Sequence, residues 1–150
     1  MPQSLSKIYV HLVFSTKYRR HLIDHSIKDR LFDYLGGICR GLECNPIRVG
    51  GHSDHVHILC LLSRKISQAK LLEEVKKQSS LWIKTVSSCY SNFYWQDGYG
   101  AFSVSPKGVN SMVMYIQNQE ERHAKDTFQD EFRGILKKYQ VEYDERYVWD

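Results

Sequence analysis

The chain has 150 residues, 42% hydrophobic and 25% charged, with a formal net charge of +4 at pH 7. That is one ordinary globular domain, able to bury roughly 70% of the surface its unfolded form exposes, so it needs no disulfide staples. No apolar run approaches the roughly 18 residues of a membrane span, and residues 1–7 lack the basic-then-apolar layout of a secretory signal, so a cytoplasmic location is expected.

Residues 7–15 alternate Ile8, Val10, Leu12 and Phe14 with Tyr9, His11, Val13 and Ser15, which predicts a strand with one strongly apolar face. A helix follows over 26–41, with Ile27, Leu31, Leu35 and Ile38 at helical spacing and Gly41 as a C-terminal stop. Residues 46–49 read as a short strand, Gly50-Gly51 as a turn, and 54–62 as a second apolar strand. Ser67 suits the N-cap of a helix running through Leu71, Leu72, Val75 and Trp82. Residues 94–105, with Gly98 and Gly100, read as two short strands around a turn, and 108–123 as a helix burying Val109, Met112, Val113 and Ile116. The order predicts an α+β fold, a ferredoxin-like antiparallel sheet covered by helices, in a single domain over 1–150. Residues 124–150 form a C-terminal arm with an amphipathic segment (Phe128, Phe132, Ile135, Leu136) and an aromatic end, ready to pack on the domain or on a partner.

Four cysteines, Cys39, Cys44, Cys60 and Cys89, form no C-x-x-C pair, which points to reduced thiols rather than a zinc knuckle. Positive charge gathers at Lys17-Tyr18-Arg19-Arg20-His21, and negative charge near the end at Asp126, Asp130, Glu131, Glu142, Asp144 and Glu145. Such runs are ordinarily solvated faces.

The chemistry-bearing motif is His55-Val56-His57. Residues two apart on a strand share a face, so the imidazoles project side by side, as a metal requires of two ligands and as a hydrogen-bonded structural pair also permits. Asp54 and Cys60 have the opposite parity. Tyr115 and Gln119 lie four apart on one helical face; the plain alternative for Tyr115 is a half-buried phenol with its hydroxyl in water. His11 reads as structural with a possible hydrogen bond near the site, His21, His25 and His123 as surface residues, and His52 as a partner able to orient a ligand.

A strand bearing H-hydrophobic-H followed by a helical Y-x-x-x-Q resembles the HUH single-tyrosine transposases of the insertion-sequence 200/605 type. So do His11 through Arg19, Gly51 through Leu59, Trp95 through Ser105, and Tyr143-Asp144-Glu145-Arg146-Tyr147-Val148, in the expected order over nearly the whole chain. The resemblance implies Tyr115 as nucleophile, with His55, His57 and Gln119 holding a divalent cation, Mg2+ or Mn2+. It implies cleavage and rejoining of single-stranded DNA through a 5′-phosphotyrosine without ATP. The partners would be a DNA hairpin at the element's ends, in a prokaryotic nucleoid, and a second copy of the chain sharing its active sites through a mobile tyrosine helix hinged at Gly108. Lys17, Arg19 and Arg20 would hold DNA phosphates and Tyr18 would stack on a base. Asn118-Gln119, where palindrome-associated relatives carry Asn-Pro, favours the insertion-sequence branch. A non-catalytic module binding nucleic acid on an open aromatic sheet is the competing class; a zinc hydrolase lacks a further strong ligand.

Overall fold

The computed structural model describes residues 3–149. Its elements are β1 (Tyr9–Ser15), α1 (Lys28–Gly41), β2 (Pro46–Gly51), β3 (His55–Leu61), α2 (Gln68–Val86), β4 (Gly100–Val104), α3 (Val109–Gln117), α4 (Gln119–His123) and α5 (Phe128–Lys138). The strands form one antiparallel sheet in the order β2-β3-β1-β4. Two split β-α-β units interleave in it, so the expected ferredoxin-like α+β layout is the one observed.

Alternation sorts each strand's side chains onto two faces. Val10, Leu12 and Phe14 of β1 join Val56, Ile58 and Cys60 of β3 beneath Leu31, Leu35, Leu71, Leu72 and Val75 of α1 and α2. The opposite parity, His11 and Val13 on β1 with His55 and His57 on β3, faces α3, α4 and α5. There a second, smaller cluster forms from Val13, Phe102, Phe128, Phe132 and Leu136. Cys60 therefore packs away from the histidines, as its parity requires, and all four cysteines are free.

Ser67 caps α2 as expected, its hydroxyl accepting from the Lys70 amide at 3.1 Å. The segment 94–105 differs from expectation. Only Gly100–Val104 is a strand, and Trp95 makes a single bridge to Thr16. The Lys76 ammonium donates to the carbonyls of Gln96, Asp97 and Gly98 at 2.9, 3.2 and 2.6 Å, which curls that stretch around a cation instead of a ladder. The helix expected over 108–123 is also two. Asn118, at φ −95° and ψ 20°, separates α3 from α4.

Two glycines bring the helices of the second face close to the sheet. A Cβ on Gly50 would lie 2.7 Å from Ile116 Cγ2 and 3.0 Å from its carbonyl oxygen, so only glycine lets α3 lie directly on β2. A Cβ on Gly100 would lie 2.7 Å from Phe132 Cε1, and α5 rests there on β4. The C-terminal arm closes over this face of its own chain: Phe132 packs near Trp149, whose carbonyl accepts from Arg19 at 2.6 Å. Among the described residues no helix is long and apolar enough to cross a membrane.

Candidate active site

His55 and His57 are fully buried on β3, with ring centroids 5.0 Å apart. Each has a fixed orientation. His55 Nδ1 meets the Asp54 carboxylate at 2.7 Å, and His57 Nδ1 meets His11 Nε2 at 2.8 Å. Asp54 lies just before β3, so the parity argument that removes it as a ligand leaves it free to orient one. With the Nδ1 atoms engaged, both Nε2 atoms turn inward to Glu131 Oε1, at 3.3 and 3.4 Å.

Glu131, on α5, is the residue the sequence reading missed. It was expected on a solvated acidic face, yet it is 1% exposed. Oε1 lies 2.9 Å from His123 Nε2. Oε2 accepts from Gln119 Nε2 at 2.8 Å and from the Tyr115 hydroxyl. The signal was present: Glu131 falls between Phe128 and Phe132, inside the stripe that helical periodicity buries, and a carboxylate there needs partners. It also corrects the expectation that no further strong ligand exists. His123 is corrected as well. Placed at the surface by the sequence reading, its side chain is only 3% exposed, with Nδ1 donating to the Asp126 carbonyl at 2.8 Å and Nε2 3.0 Å from Gln119 Oε1. It continues the strip Tyr115, Gln119, His123 at four-residue spacing.

The other expected residues are placed as follows. Tyr115 stands over His57, ring centroids 5.7 Å apart, in the same chain. Gln119 is buried with Oε1 2.8 Å from His55 Nε2. His11 reaches the site through His57, and His52 stacks on His123 at 5.4 Å. His21 and His25 are exposed. Lys17 and Arg20 flank the exposed Tyr18 ring at 5.5 and 5.6 Å, whereas Arg19 is engaged by Trp149. This basic turn is tied to the site's frame, because the Thr16 amide donates to the Asp54 carbonyl at 2.8 Å. Gly108 ends a short turn, its amide donating to the Ser105 hydroxyl at 3.1 Å, and leads straight into α3.

The electrostatics centre on one buried carboxylate. Burial alone would raise the Glu131 pKa, but the close imidazoles of His123, His55 and His57 outweigh it and hold the group far below the usual carboxylate range. Burial disfavours the His55 cation, yet Asp54 and Glu131 overcome it and raise its pKa to about 9. Burial lowers His57, and burial with the neighbouring His57 lowers His11 to about 3. Burial, then the Glu131 charge, pushes the Tyr115 phenol well above its usual value.

Whether these residues suit a divalent cation is decided by an orphaned atom. His57 Nε2 is buried and makes no hydrogen bond of good geometry, its nearest acceptor being Glu131 Oε1 at 3.4 Å, a costly state that a metal bond would relieve. Ligand atoms of His55, His57 and Glu131 lie within 4.8 Å of one another. Imidazole nitrogens with a carboxylate oxygen, and the Gln119 carboxamide oxygen beside them, form an N/O donor set that fits.

A family model described as "Transposase IS200 like" matches residues 4–119. The chain belongs to that family. Among solved structures, a candidate transposase from Deinococcus radiodurans R1 superposes with a TM-score of 0.62 at 21% identity, over 79% of this chain and 98% of that one. A REP-associated tyrosine transposase bound to a REP hairpin gives 0.60 at 15% identity, over 82% of this chain and 73% of that one. These likenesses establish the transposase's fold. No curated protein matches it. The family match ends at Gln119, and His123 and Glu131, on α4 and α5, lie beyond it.

Proposed function

We propose that this transposase cleaves and rejoins single-stranded DNA at the ends of a mobile element, using Tyr115 as nucleophile. One observation carries the reading: the Tyr115 hydroxyl donates to a carboxylate whose other oxygen faces both histidines of the H-x-H pair. His55, His57 and Glu131, with Gln119 beside them, would hold a divalent cation such as Mg2+ or Mn2+. Bound there, it would polarise the scissile phosphate and steady developing charge.

The chain's own residues set the proton path. With its pKa raised, Tyr115 stays neutral at rest, its proton directed at Glu131 Oε2. As the Tyr115 Oη–phosphorus bond forms, phenol acidity rises and the proton passes to that oxygen. The phosphorus–O3′ bond breaks, leaving a 5′-phosphotyrosine and a 3′-oxygen that takes up the proton Glu131 received. Bond energy is retained in the phosphotyrosine, so another 3′-hydroxyl can reverse the reaction without ATP.

A hairpin at the element's end would be held by Lys17, Arg20 and Tyr18. Arg19, turned to Trp149, would instead fasten the arm. Tyr115 beside its own chain's His57, ring centroids 5.7 Å apart, supports an arrangement in cis. In the homodimer implied by the resemblance, α3 would swing about Gly108 and make the same contacts on the second copy. Mixing Tyr115→Phe and His55→Ala subunits separates the two arrangements, since only exchange restores cleavage. A binding module without chemistry would present a bare aromatic sheet; here helices cover both faces.

The decisive test is incubation with single-stranded element ends and Mg2+ or Mn2+, followed by a denaturing gel. A covalent protein–DNA adduct is expected, and absent in Tyr115→Phe. An adduct that persists in Tyr115→Phe would place the nucleophile elsewhere.

A further inference from the structure

A cavity of about 560 Å³ opens beside Tyr115, between the end of β4, α3 and α5. That volume is in the ~300–1,000 Å³ range of small-ligand sites. Met112, Ile135 and Tyr139 give it apolar walls, while Arg122 and Lys138 stand at its edge. The Arg122 guanidinium lies 5.4 Å from the Tyr115 ring centre, and its Nε is 3.4 Å from Glu131 Oε2, so a cation flanks the nucleophile directly. Lys138 extends along the Tyr139 ring, 5.8 Å from its centre. Cations around an apolar slot match a nucleotide: a base between hydrocarbon walls, with its phosphate among the charges.

A second, independent observation comes from His11, which also lines this cavity. The residue is 1% exposed, its Nε2 is taken by His57, and its Nδ1 is buried with no protein partner. The chain of tautomers fixes what that atom offers. If His57 gives its Nε2 lone pair to a cation, its proton sits on Nδ1 and is donated to His11 Nε2. His11 must then carry its own proton on Nδ1. A buried N–H without an acceptor is costly unless something in the cavity accepts from it.

We propose that this cavity seats the nucleotide at the scissile phosphate of a DNA single strand, with the Nδ1–H of His11 as a fixed donor to it and Arg122 and Lys138 as its counter-cations. The assignment rests on the strand-cleavage reading above and adds where the substrate lies: in the cavity between the end of β4, α3 and α5, beside Tyr115.

Two variants test it. Ser111→Trp fills the cavity from an exposed position on α3. His11→Gln keeps a partner for His57 and removes the Nδ1 donor. The probe is a fluorescein-labelled pool of randomised hexadeoxynucleotides, read by anisotropy in MnCl2 on a Tyr115→Phe background, with Mn2+ affinity measured in parallel by calorimetry. Ser111→Trp is expected to weaken hexamer binding tenfold or more with Mn2+ affinity within twofold of the parent, and His11→Gln to weaken it by about tenfold, the loss of a hydrogen bond to a charged acceptor. Parental hexamer affinity in Ser111→Trp would overturn the proposal. Adduct formation by the Tyr115 protein separates the two readings: no adduct in the parent sinks strand cleavage itself, whereas parental adduct rates in Ser111→Trp sink only the cavity.

Discussion

The two faces of the sheet share strands and differ in what covers them. Under α1 and α2, every inward position on β1 and β3 is apolar, and the helices supply Leu31, Leu35, Leu71, Leu72 and Val75. Under α3, α4 and α5 the same strands present His11, His55 and His57, and the helices answer with Tyr115, Gln119, His123 and Glu131. The first face is held by burial, which is non-directional and additive. The second is held by a hydrogen-bonded network around one carboxylate, in which each member depends on the rest. One face can therefore lose a methylene and keep its shape, while the other changes character when a single donor or acceptor is removed.

The largest expected effects come from exchanging the two kinds of damage. Ile58→Ala, on the apolar face, should cost roughly 2–5 kcal/mol in denaturant unfolding and leave Mn2+ affinity unchanged. Glu131→Gln, nearly isosteric on the polar face, should reduce Mn2+ affinity by at least tenfold in calorimetry while destabilising the metal-free protein less than Ile58→Ala does. A Glu131→Gln protein that binds Mn2+ normally would reduce Glu131 to a packing residue and erase the contrast.

Proton linkage gives the next effect, of the order of 3 kcal/mol at most for a shift of this size. His55 has a folded pKa raised to about 9 from 6.5. Its contribution to the metal-free protein is therefore fully present below pH 6.5 and is lost as pH rises through 9. A cation must displace that proton, so metal affinity should rise over the same interval. Melting curves with EDTA and with Mn2+ should consequently diverge between pH 6.5 and 9, with EDTA falling. Parallel curves would mean that His55 is not the group the metal deprotonates.

Glycines sharpen the comparison at a smaller scale. Gly50→Ala drives a methyl into Ile116 and should cost about 1–3 kcal/mol while lifting α3, so that adduct formation falls more than Mn2+ binding. Gly37→Ala, on the exposed side of α1 with nothing within 4 Å, should stabilise by about 0.5–1 kcal/mol in urea titrations and leave the adduct unaffected. If both behave alike, the close approach of α3 is not what positions Tyr115.

Most of the frame was legible locally. Period-2 alternation in 7–15 and 54–62 set which residues face which layer, the Ser67 cap marked the start of α2, and parity alone separated the histidines from Cys60. His55-Val56-His57 and Tyr115 with Gln119 were visible because each spacing lies within one strand or one helical stretch. The first of the two short strands expected within 94–105 was lost to the Lys76 ammonium, which is 20 residues away from the Gln96 carbonyl it captures.

Glu131 and His123 mark where local reading ends. A charged residue in an amphipathic segment has two solutions, solvent or a buried partner, and the choice depends on what the opposing surface offers. Here that surface is β3, more than 70 residues earlier in the chain. Sequence by itself determined the strands, their faces and the side-by-side histidine pair, because periodicity is a property of backbone geometry. Only the tertiary structure decided that α5 would lie across Gly100 and set its carboxylate between the histidines and the phenol, because that placement depends on long-range packing and on the energy of a charge with no water to turn to.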